Sequence, residues 1–411
     1  MSYRLCLRGI GSGAIYDPDT VMNLCPQDGR PVEIVMDLDR LAAEQPDFGW
    51  YRPHRRDMWR FGALLPLDPD DPEDKPSIVS LGEGCTPMRD YSDHALAQRH
   101  GFKLRLKDEG KPEPGFGSNP TSSFKDRGMS MAVSMAKRLG LERLAVPTQG
   151  NAGDSLAEYA LAGGLEAAVV MPDDTPMPIL GRVAALERLH ASIKLDLVKG
   201  TIREAAERVR EKYEADGYFS VATFHEPGWR IDGKKTLGLE IAEAGDWSLP
   251  DVIVYPTGGG TGILGMWKAF DELEQLKVVG AHRPRMIAVQ SEQTAPLVAA
   301  FAAGDPDTEP VTAGETIATG LNVPGGVGHF RVLEILKASG GAAVAVPEDQ
   351  IGPAMGAVFR EKGWWLCPEG AACLAALESL VECDLIEPGD RVVVVNTGSF
   401  EKYLPNIRQW L

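Results

Sequence analysis

Asn119-Pro120-Thr121-Ser122-Ser123-Phe124-Lys125-Asp126-Arg127-Gly128 is the stretch on which the reading of this chain turns. Asn119-Pro120-Thr121 predicts a turn, Ser122, Ser123 and Asp126 are residues of the N-cap type, and the residues after Arg127 carry a helical pattern. A lysine at that entrance stands on a stiff support. Burying its amine is unfavourable unless the amine is used, either by losing its proton or by forming a covalent adduct such as a Schiff base. The bland alternative is a surface Lys-Asp-Arg at a helix start, which is common in any protein. Met131, Met135 and Leu139 then fall four apart on one face, Lys137 and Arg138 sit in the last turn, and Gly140 offers a C-terminal cap.

From residue 125 onward short apolar strands alternate with helix-like segments, the pattern of an α/β fold with parallel strands. Leu144-Ala145-Val146, Ala167 to Met171 and Ile193 to Val198 form a first strand series, and Thr201 with Glu204 has capping-box spacing. A second series runs through Val252 to Tyr255, Met286 to Gln290, Ala342 to Val346 and Arg391 to Val395, and could form a larger sheet. Residues 66 to 76 are rich in proline and acid and predict an exposed connection, and the Pro/Gly-rich residues 111 to 118 predict a loop. No internal repeat is visible.

With 411 residues, and about 150 per domain as a prior, two or three units are expected. The balance of 42 Lys+Arg against 59 Asp+Glu leaves a net charge of -17, which argues against nucleic acid or an anionic membrane as partner. No apolar run approaches the ~18 residues of a membrane span, and Met1-Ser2-Tyr3-Arg4 leads into no signal-peptide core, so a cytoplasmic location is expected. Six cysteines spread along the chain do not make a disulfide framework.

Three further segments bear on chemistry. Gly258-Gly259-Gly260-Thr261-Gly262 follows the strand Val252 to Tyr255 and opens a helix near Ile263, where converging N–H groups and a helix N-terminus suit a phosphate. A glycine run alone is weak evidence, but Ile263 and Leu264 stand where a P-loop has lysine and a hydroxyl residue, so an ATPase reading is poor. Thr148-Gln149-Gly150-Asn151-Ala152-Gly153-Asp154-Ser155 comes directly after a strand. Val392 to Val395 is a buried-strand pattern that runs into Asn396-Thr397-Gly398.

The lysine stretch resembles the cofactor-lysine segment of threonine synthases, pyridoxal phosphate (PLP) enzymes of the tryptophan-synthase-beta-like fold, usually written N-P-T-G-S-F-K-D-R-G. Only Ser122 departs, standing where that family often has glycine. Residues 148 to 155 resemble S-[ST]-G-N-x-[AG]-x-S, and Thr397-Gly398 resembles the end of a strand finishing in L-T-G-H. Ser80 to Pro87 resembles S-L-G-E-G-N-T-P, Glu315 to Thr319 resembles E-T-[LI]-A-T, and Trp229 to Thr236 resembles H-R-x-E-G-[QK]-K-T. The likeness runs in order from about residue 78 to 403.

The resemblance implies an α/β, two-domain, fold type II PLP enzyme with three-layer αβα sheets of mostly parallel strands. It implies an extension over residues 1–78, a large PLP-binding domain over 79–127 and 233–411, and a small domain over 128–232. PLP needs a lysine for its aldehyde, an anion cradle, and partners for its phenolic oxygen and pyridine nitrogen. Lys125 would carry the cofactor and serve as catalytic base. Gly258, Gly259, Gly260, Thr261 and Gly262 would cradle the phosphate, Asn151 would donate to the phenolic oxygen, and Thr397 would face the pyridine nitrogen. Ser122, Ser123, Gln149 and Arg230 would bind a small amino-acid substrate, and a homodimer is implied.

Many relatives begin with a zinc ribbon of two C-x-x-C pairs; here Cys6 and Cys25 keep the first positions, but Gly9 and Asp28 take the partners' places, so no metal is expected. Other departures lie near the implied substrate site: Cys85 for asparagine, Gln149 and Ala152 beside Asn151, and Cys367-Pro368-Glu369-Gly370-Ala371 for C-E-P-A-S. Thr223 to Gly228 replaces an asparagine-rich pattern, and Glu226 would repel a phosphate if it faced the site. Three readings stand: threonine synthase, which turns O-phosphohomoserine and water into threonine and phosphate; a sibling dehydratase, ammonia-lyase or β-replacement enzyme of the cysteate-synthase kind; and a non-catalytic binding protein of the same fold.

Overall fold

The computed structural model describes residues 2–410. The chain packs as two compact units, one running to Cys85 and resuming over Asn119–Thr236, the other formed by Thr86–Ser118 and the chain from Leu237 onward. The boundaries expected from the sequence lie at 78/79, 127/128 and 232/233, beside observed ones at 85/86, 118/119 and 236/237.

The first unit holds a three-stranded antiparallel sheet of β1 (Arg4–Gly9), β2 (Ile15–Tyr16) and β3 (Val32–Met36), in the order β2-β1-β3. It also holds a four-stranded parallel sheet, order β8-β7-β6-β9, from β6 (Arg143–Pro147), β7 (Glu166–Pro172), β8 (Ile193–Val198) and β9 (Phe219–Ser220). Six of the seven residues of β7 are buried, as expected of a parallel strand with both faces covered. Around it Ala145, Ala168, Val170 and Val198 pack with Val209, Tyr213 and Tyr218.

The second unit is built on a six-stranded sheet, order β12-β11-β10-β13-β5-β4. Its strands are β4 (Met88–Asp90), β5 (Lys103–Asp108), β10 (Val252–Pro256), β11 (Arg285–Ser291), β12 (Ala342–Val346) and β13 (Arg391–Asn396), all parallel except the β4–β5 pair. The fold is therefore α/β with mostly parallel sheets. Every strand the periodicity marks is present within two residues at each end. β1 to β5 and β9 are additions: β2, β4 and β9 have only two or three residues, too few to display alternation.

Six helices matter for the site: α1 (Lys125–Arg138), α2 (Asn151–Gly163), α3 (Trp229–Ala244), α4 (Thr261–Gln275), α5 (His329–Ala338) and α6 (Pro368–Ala375). Gly140 follows α1 at φ +75°, the left-handed stop its position predicts. The helix Ile202–Arg208 carries the full capping box of Thr201 and Glu204.

The segment 66 to 76 corrects an expectation. Rather than an exposed connection, it buries Leu67, Asp68, Asp71 and Asp74 and ends in the short helix Lys75–Ser77. Asp74 accepts from the backbone N–H of Asp68 at 3.1 Å and from Arg138 Nε at 3.2 Å, and Asp68 pairs with Arg52 at 3.3 Å. Acidic residues read as solvated are consumed instead by local backbone donors and by arginines distant in sequence. Residues 111 to 118 form the expected loop.

Cys25 is buried, with its Sγ 3.3 Å from both Ser12 Oγ and Tyr16 Oη. Among the described residues no group of three or more His, Cys, Asp or Glu is placed to hold a metal, and no helix is long and apolar enough to cross a membrane.

Candidate active site

In the first unit, α1 begins at Lys125 itself. The turn before it is tied down by Asp126, whose carboxylate accepts from Thr121 N at 2.7 Å and Thr121 Oγ1 at 2.6 Å, while Lys125 N donates to Ser123 Oγ at 3.3 Å. Asp126, Thr121 and Ser123 are buried, and Lys125 and Ser122 are half-buried. Ser122 has φ +57°, the left-handed region that favours glycine. Glycine in the resembled pattern thus answers a backbone demand, and serine here meets the same demand at some strain. Two other departures share this trait: Cys85 has φ +54° and Phe224 has φ +67°.

Lys125 Nζ lies 3.9 Å from the centroid of the Phe124 ring, and a second amine, Lys234 Nζ, lies 4.7 Å from the same centroid. Helices α1 and α3 cross closely here. A Cβ at Gly233 would sit 2.1 Å from the Arg127 carbonyl oxygen, and one at Gly128 would meet Lys234 Cε at 3.3 Å. Lys234 is 1 % exposed. Burial first, then the positive charges of Lys125 and Arg230, hold its amine well below the usual lysine range.

Arg230 and Lys234 lie one turn apart on α3, and Glu226 lies in the turn before that helix. Arg230 N donates to Glu226 Oε2 at 3.1 Å, and Arg230 Nη1 donates to the Val221 carbonyl at 2.8 Å. Glu226 Oε1 and Arg230 Nε are buried without a hydrogen-bond partner among the described residues. Burial pushes the Glu226 carboxyl up to about 7, against the opposing pull of Arg230. Arg230, the expected anion-binding residue, therefore sits inside the first unit with a carboxylate beside it.

Asn151 is the first residue of α2, entered through Gly150 at φ +145°, where a Cβ would strike Ile179 Cδ1 at 2.9 Å. Gln149 and Asn151 are half-buried. Ser155, one turn along the same face, is wholly buried, and its Oγ has no partner among the described residues. Such a hydroxyl is unfavourable unless something donates to it or accepts from it.

In the second unit, β10 runs into the glycine loop and α4 starts at Thr261 behind Gly260, which has φ +89°. The loop is packed so closely that side chains would fill it: a Cβ at Gly258 would lie 2.6 Å from the Gly320 carbonyl oxygen, at Gly260 2.4 Å from Val332 Cγ2, and at Gly262 2.0 Å from Tyr255 Oη. His329, the first residue of α5, braces it, with Nε2 2.9 Å from the Gly258 carbonyl oxygen and Nδ1 3.0 Å from Thr308 Oγ1. Burial holds this ring below the ordinary histidine range. Since a carbonyl can only accept, the neutral ring carries its proton on Nε2.

Thr397 follows β13 and is buried, with Oγ1 3.6 Å from Cys367 Sγ. Cys367 caps α6, and both its N and Sγ contact Asn396 Oδ1, at 3.0 and 3.2 Å. Burial raises this thiol far above the ordinary cysteine range, so it is a neutral neighbour for the Thr397 hydroxyl.

A family profile described as "Pyridoxal-phosphate dependent enzyme" matches residues 79–398. This chain belongs to the pyridoxal-phosphate dependent enzymes. The chain is 31% identical over 392 residues to a protein named threonine synthase of Methanocaldococcus jannaschii, covering 95% of this chain and 91% of that one. It is 30% identical over 397 residues to the threonine synthase of Methanosarcina acetivorans, covering 96% and 92%. Among solved structures it is similar to threonine deaminase isoform 2 from Solanum lycopersicum, with TM-score 0.63, 25% identity and coverage of 79% and 87%. It shares the fold of the diaminopropionate ammonia lyase of Escherichia coli, with TM-score 0.65, 18% identity and coverage of 82% and 91%.

The residues present fit the family's cofactor. A loop that admits no Cβ at three positions and opens a helix suits a phosphate, and the Ser155 hydroxyl, one turn from Asn151, calls for a ligand group. Sequence reading singled out Lys125, Asn151, the glycine loop and Thr397 but passed over Lys234, Phe124 and His329. Lys234 lay inside a quoted motif, yet only its four-residue spacing from Arg230 distinguishes it from Lys235, which pairs with Asp232 at 2.7 Å.

Proposed function

We propose that this chain is a threonine synthase, converting O-phosphohomoserine and water to threonine and inorganic phosphate. The reading rests on the likeness to proteins of that name across nearly the whole chain. In this reading Lys125 carries the cofactor, Gly258 to Gly262 take its phosphate, Asn151 its phenolic oxygen and Thr397 its pyridine nitrogen. Bound pyridoxal phosphate supplies an electron sink for charge released at the substrate's Cα.

The protein's own work is proton handling and orientation. Lys125 Nζ takes the Cα proton and then one from Cβ, and the Cγ–O bond to phosphate breaks. Water adds its hydroxyl at Cβ, one proton returns to Cγ and one to Cα, and the remaining proton of water leaves with the phosphate. Ser122, Ser123, Gln149 and Arg230 orient the substrate, and Arg230 supplies the positive charge that a departing phosphate requires. Thr397, a neutral hydroxyl beside a neutral thiol, leaves the pyridine nitrogen largely unprotonated.

One observation favours a second reading. Glu226 beside Arg230 offsets the arginine's charge, which suits a site that expels water or ammonia from a smaller amino acid. The decisive experiment incubates the PLP-loaded protein with O-phosphohomoserine and measures phosphate and threonine. Release of both supports the first reading. Pyruvate, oxobutyrate or ammonia from serine, threonine or diaminopropionate, with no phosphate from O-phosphohomoserine, replaces it with the second. Protein that stays colourless with added PLP overturns both.

A further inference from the structure

A loop of consecutive glycines carries a liability at an anion site. Gly258 and Gly259 have no Cβ, so the peptide unit between them can turn over without the steric penalty that other residues meet. With its N–H facing the ligand, that unit donates to an anion. Turned over, it presents a carbonyl oxygen and repels one. Something must fix its sense.

His329 is wholly buried, with Nε2 2.9 Å from the Gly258 carbonyl oxygen and Nδ1 3.0 Å from Thr308 Oγ1. In the neutral ring Nε2 therefore carries the proton and donates to the carbonyl, while Nδ1 accepts from the Thr308 hydroxyl. The ring is wedged from the preceding turn: His329 N donates to the Gly326 carbonyl at 3.0 Å, and a Cβ at Gly326 would lie 2.7 Å from Nε2. The Gly258–Gly259 peptide is trans, so its C=O and N–H point opposite ways. With the carbonyl held on His329, the Gly259 N–H is aimed away from α5. Gly260 backs onto the same helix, since a Cβ there would meet Val332 Cγ2 at 2.4 Å. Helix α5 thus closes one side of the loop, and the Gly259 donor faces the other.

We propose that His329 fixes the sense of the Gly258–Gly259 peptide, so that the Gly259 N–H meets the cofactor's phosphate and the site tells a phosphorylated ligand from its dephosphorylated form. This rests on the reading above in one respect, the placement of that phosphate at Gly258 to Gly262. His329 acts through Gly258 and is a positioning residue. Without the Nε2 proton the Gly258 carbonyl loses this donor, and a carbonyl turned to the ligand side would face the phosphate with like charge. No proton or electron is transferred.

The test titrates the full chain, freed of cofactor, with PLP and separately with pyridoxal, which keeps the aldehyde and lacks the phosphate, and follows the visible absorbance. His329→Leu removes the donor. It is expected to weaken PLP about a hundredfold and to leave pyridoxal within about threefold of wild type. Two amide variants separate donation from packing. The amide nitrogen of His329→Gln reaches the place of Nε2, so PLP binding stays within about tenfold of wild type, whereas that of His329→Asn ends near the place of Nδ1 and loses as much as the leucine variant. If the leucine variant does not fold, the amide pair decides alone.

PLP and pyridoxal weakening together in the leucine and asparagine variants would show a general packing role and overturn the assignment of His329. Equal PLP binding by the asparagine and glutamine variants overturns it too. Wild-type protein that binds PLP no more tightly than pyridoxal overturns the placement of the phosphate in the glycine loop, and the role of His329 with it. A wild type that prefers PLP beside a His329→Asn with the same preference sinks His329 alone.

Discussion

Two buried lysines, one in each unit, carry the same side chain into opposite surroundings. Lys107 in the second unit is 1 % exposed, and its Nζ donates to the Thr86 carbonyl at 2.7 Å, to Thr86 Oγ1 and to Glu240 Oε2 at 2.8 Å, with Glu109 at 3.6 Å. Lys234 in the first unit is equally buried, but two of the three charges acting on it are positive and the third is a carboxylate shared with Arg230. An amine boxed in by carboxylates is a structural tie, whereas one boxed in by cations is a poor ammonium and hence available for chemistry. Burial alone does not separate the two roles. The sign of the neighbours does.

The largest test of that contrast is functional. Lys125→Ala is expected to lower turnover about a thousandfold or more, read as product formed per minute by PLP-loaded protein, because in the proposed reading it removes the base. Unchanged turnover would sink its assignment.

Next comes Lys107→Met, which strands Glu240 and Glu109 in the second unit's interior. Loss of about 3–5 kcal/mol in urea unfolding is expected, as for any buried ion pair stripped of one partner. Lys234→Met should cost nothing comparable and raise stability near pH 7. Equal losses in the two variants would erase the distinction between the regions.

A third test concerns the buried carboxyl beside Arg230. Glu226 has a folded pKa raised from 4.5 to about 7, so the stability it confers is present below pH 4.5 and is lost as pH climbs through 7. Glu226→Gln should therefore match wild type in acid and exceed it by about 3 kcal/mol at pH 8, in stability curves taken across that window. A gap that is constant with pH would show the carboxyl to be unshifted.

The smallest effect is expected at Ser122. Substitution by glycine relieves the left-handed backbone at φ +57° and should stabilise by no more than about 1 kcal/mol, read as a small rise in melting temperature. If turnover falls while stability rises, the Ser122 hydroxyl works on the substrate. If both stay level, the serine is neutral drift at a glycine position.

Much of this was legible beforehand because it is local. The valine-rich runs that became β10 and β13 needed only their composition and their turns, and Thr201 with Glu204 needed only three-residue spacing. What stayed hidden depended on partners far along the chain. Residues 66 to 76 looked solvated because the arginine that meets Asp74 is Arg138, more than sixty residues later. His329 drew no notice because its acceptor is a backbone carbonyl at Gly258, and backbone oxygens leave no trace in the letters.

The order of residues alone determined the parallel α/β sheets, the lysine at a helix entrance and the glycine loop after a strand, since these follow from periodicity and from backbone freedom confined to a few neighbours. Packing alone decided which of Lys234 and Lys235 stands beside Lys125. Adjacent residues on a helix point about 100° apart, so one lysine was turned toward a second amine and the other toward Asp232, and a buried amine's protonation follows from those surroundings rather than from its own identity.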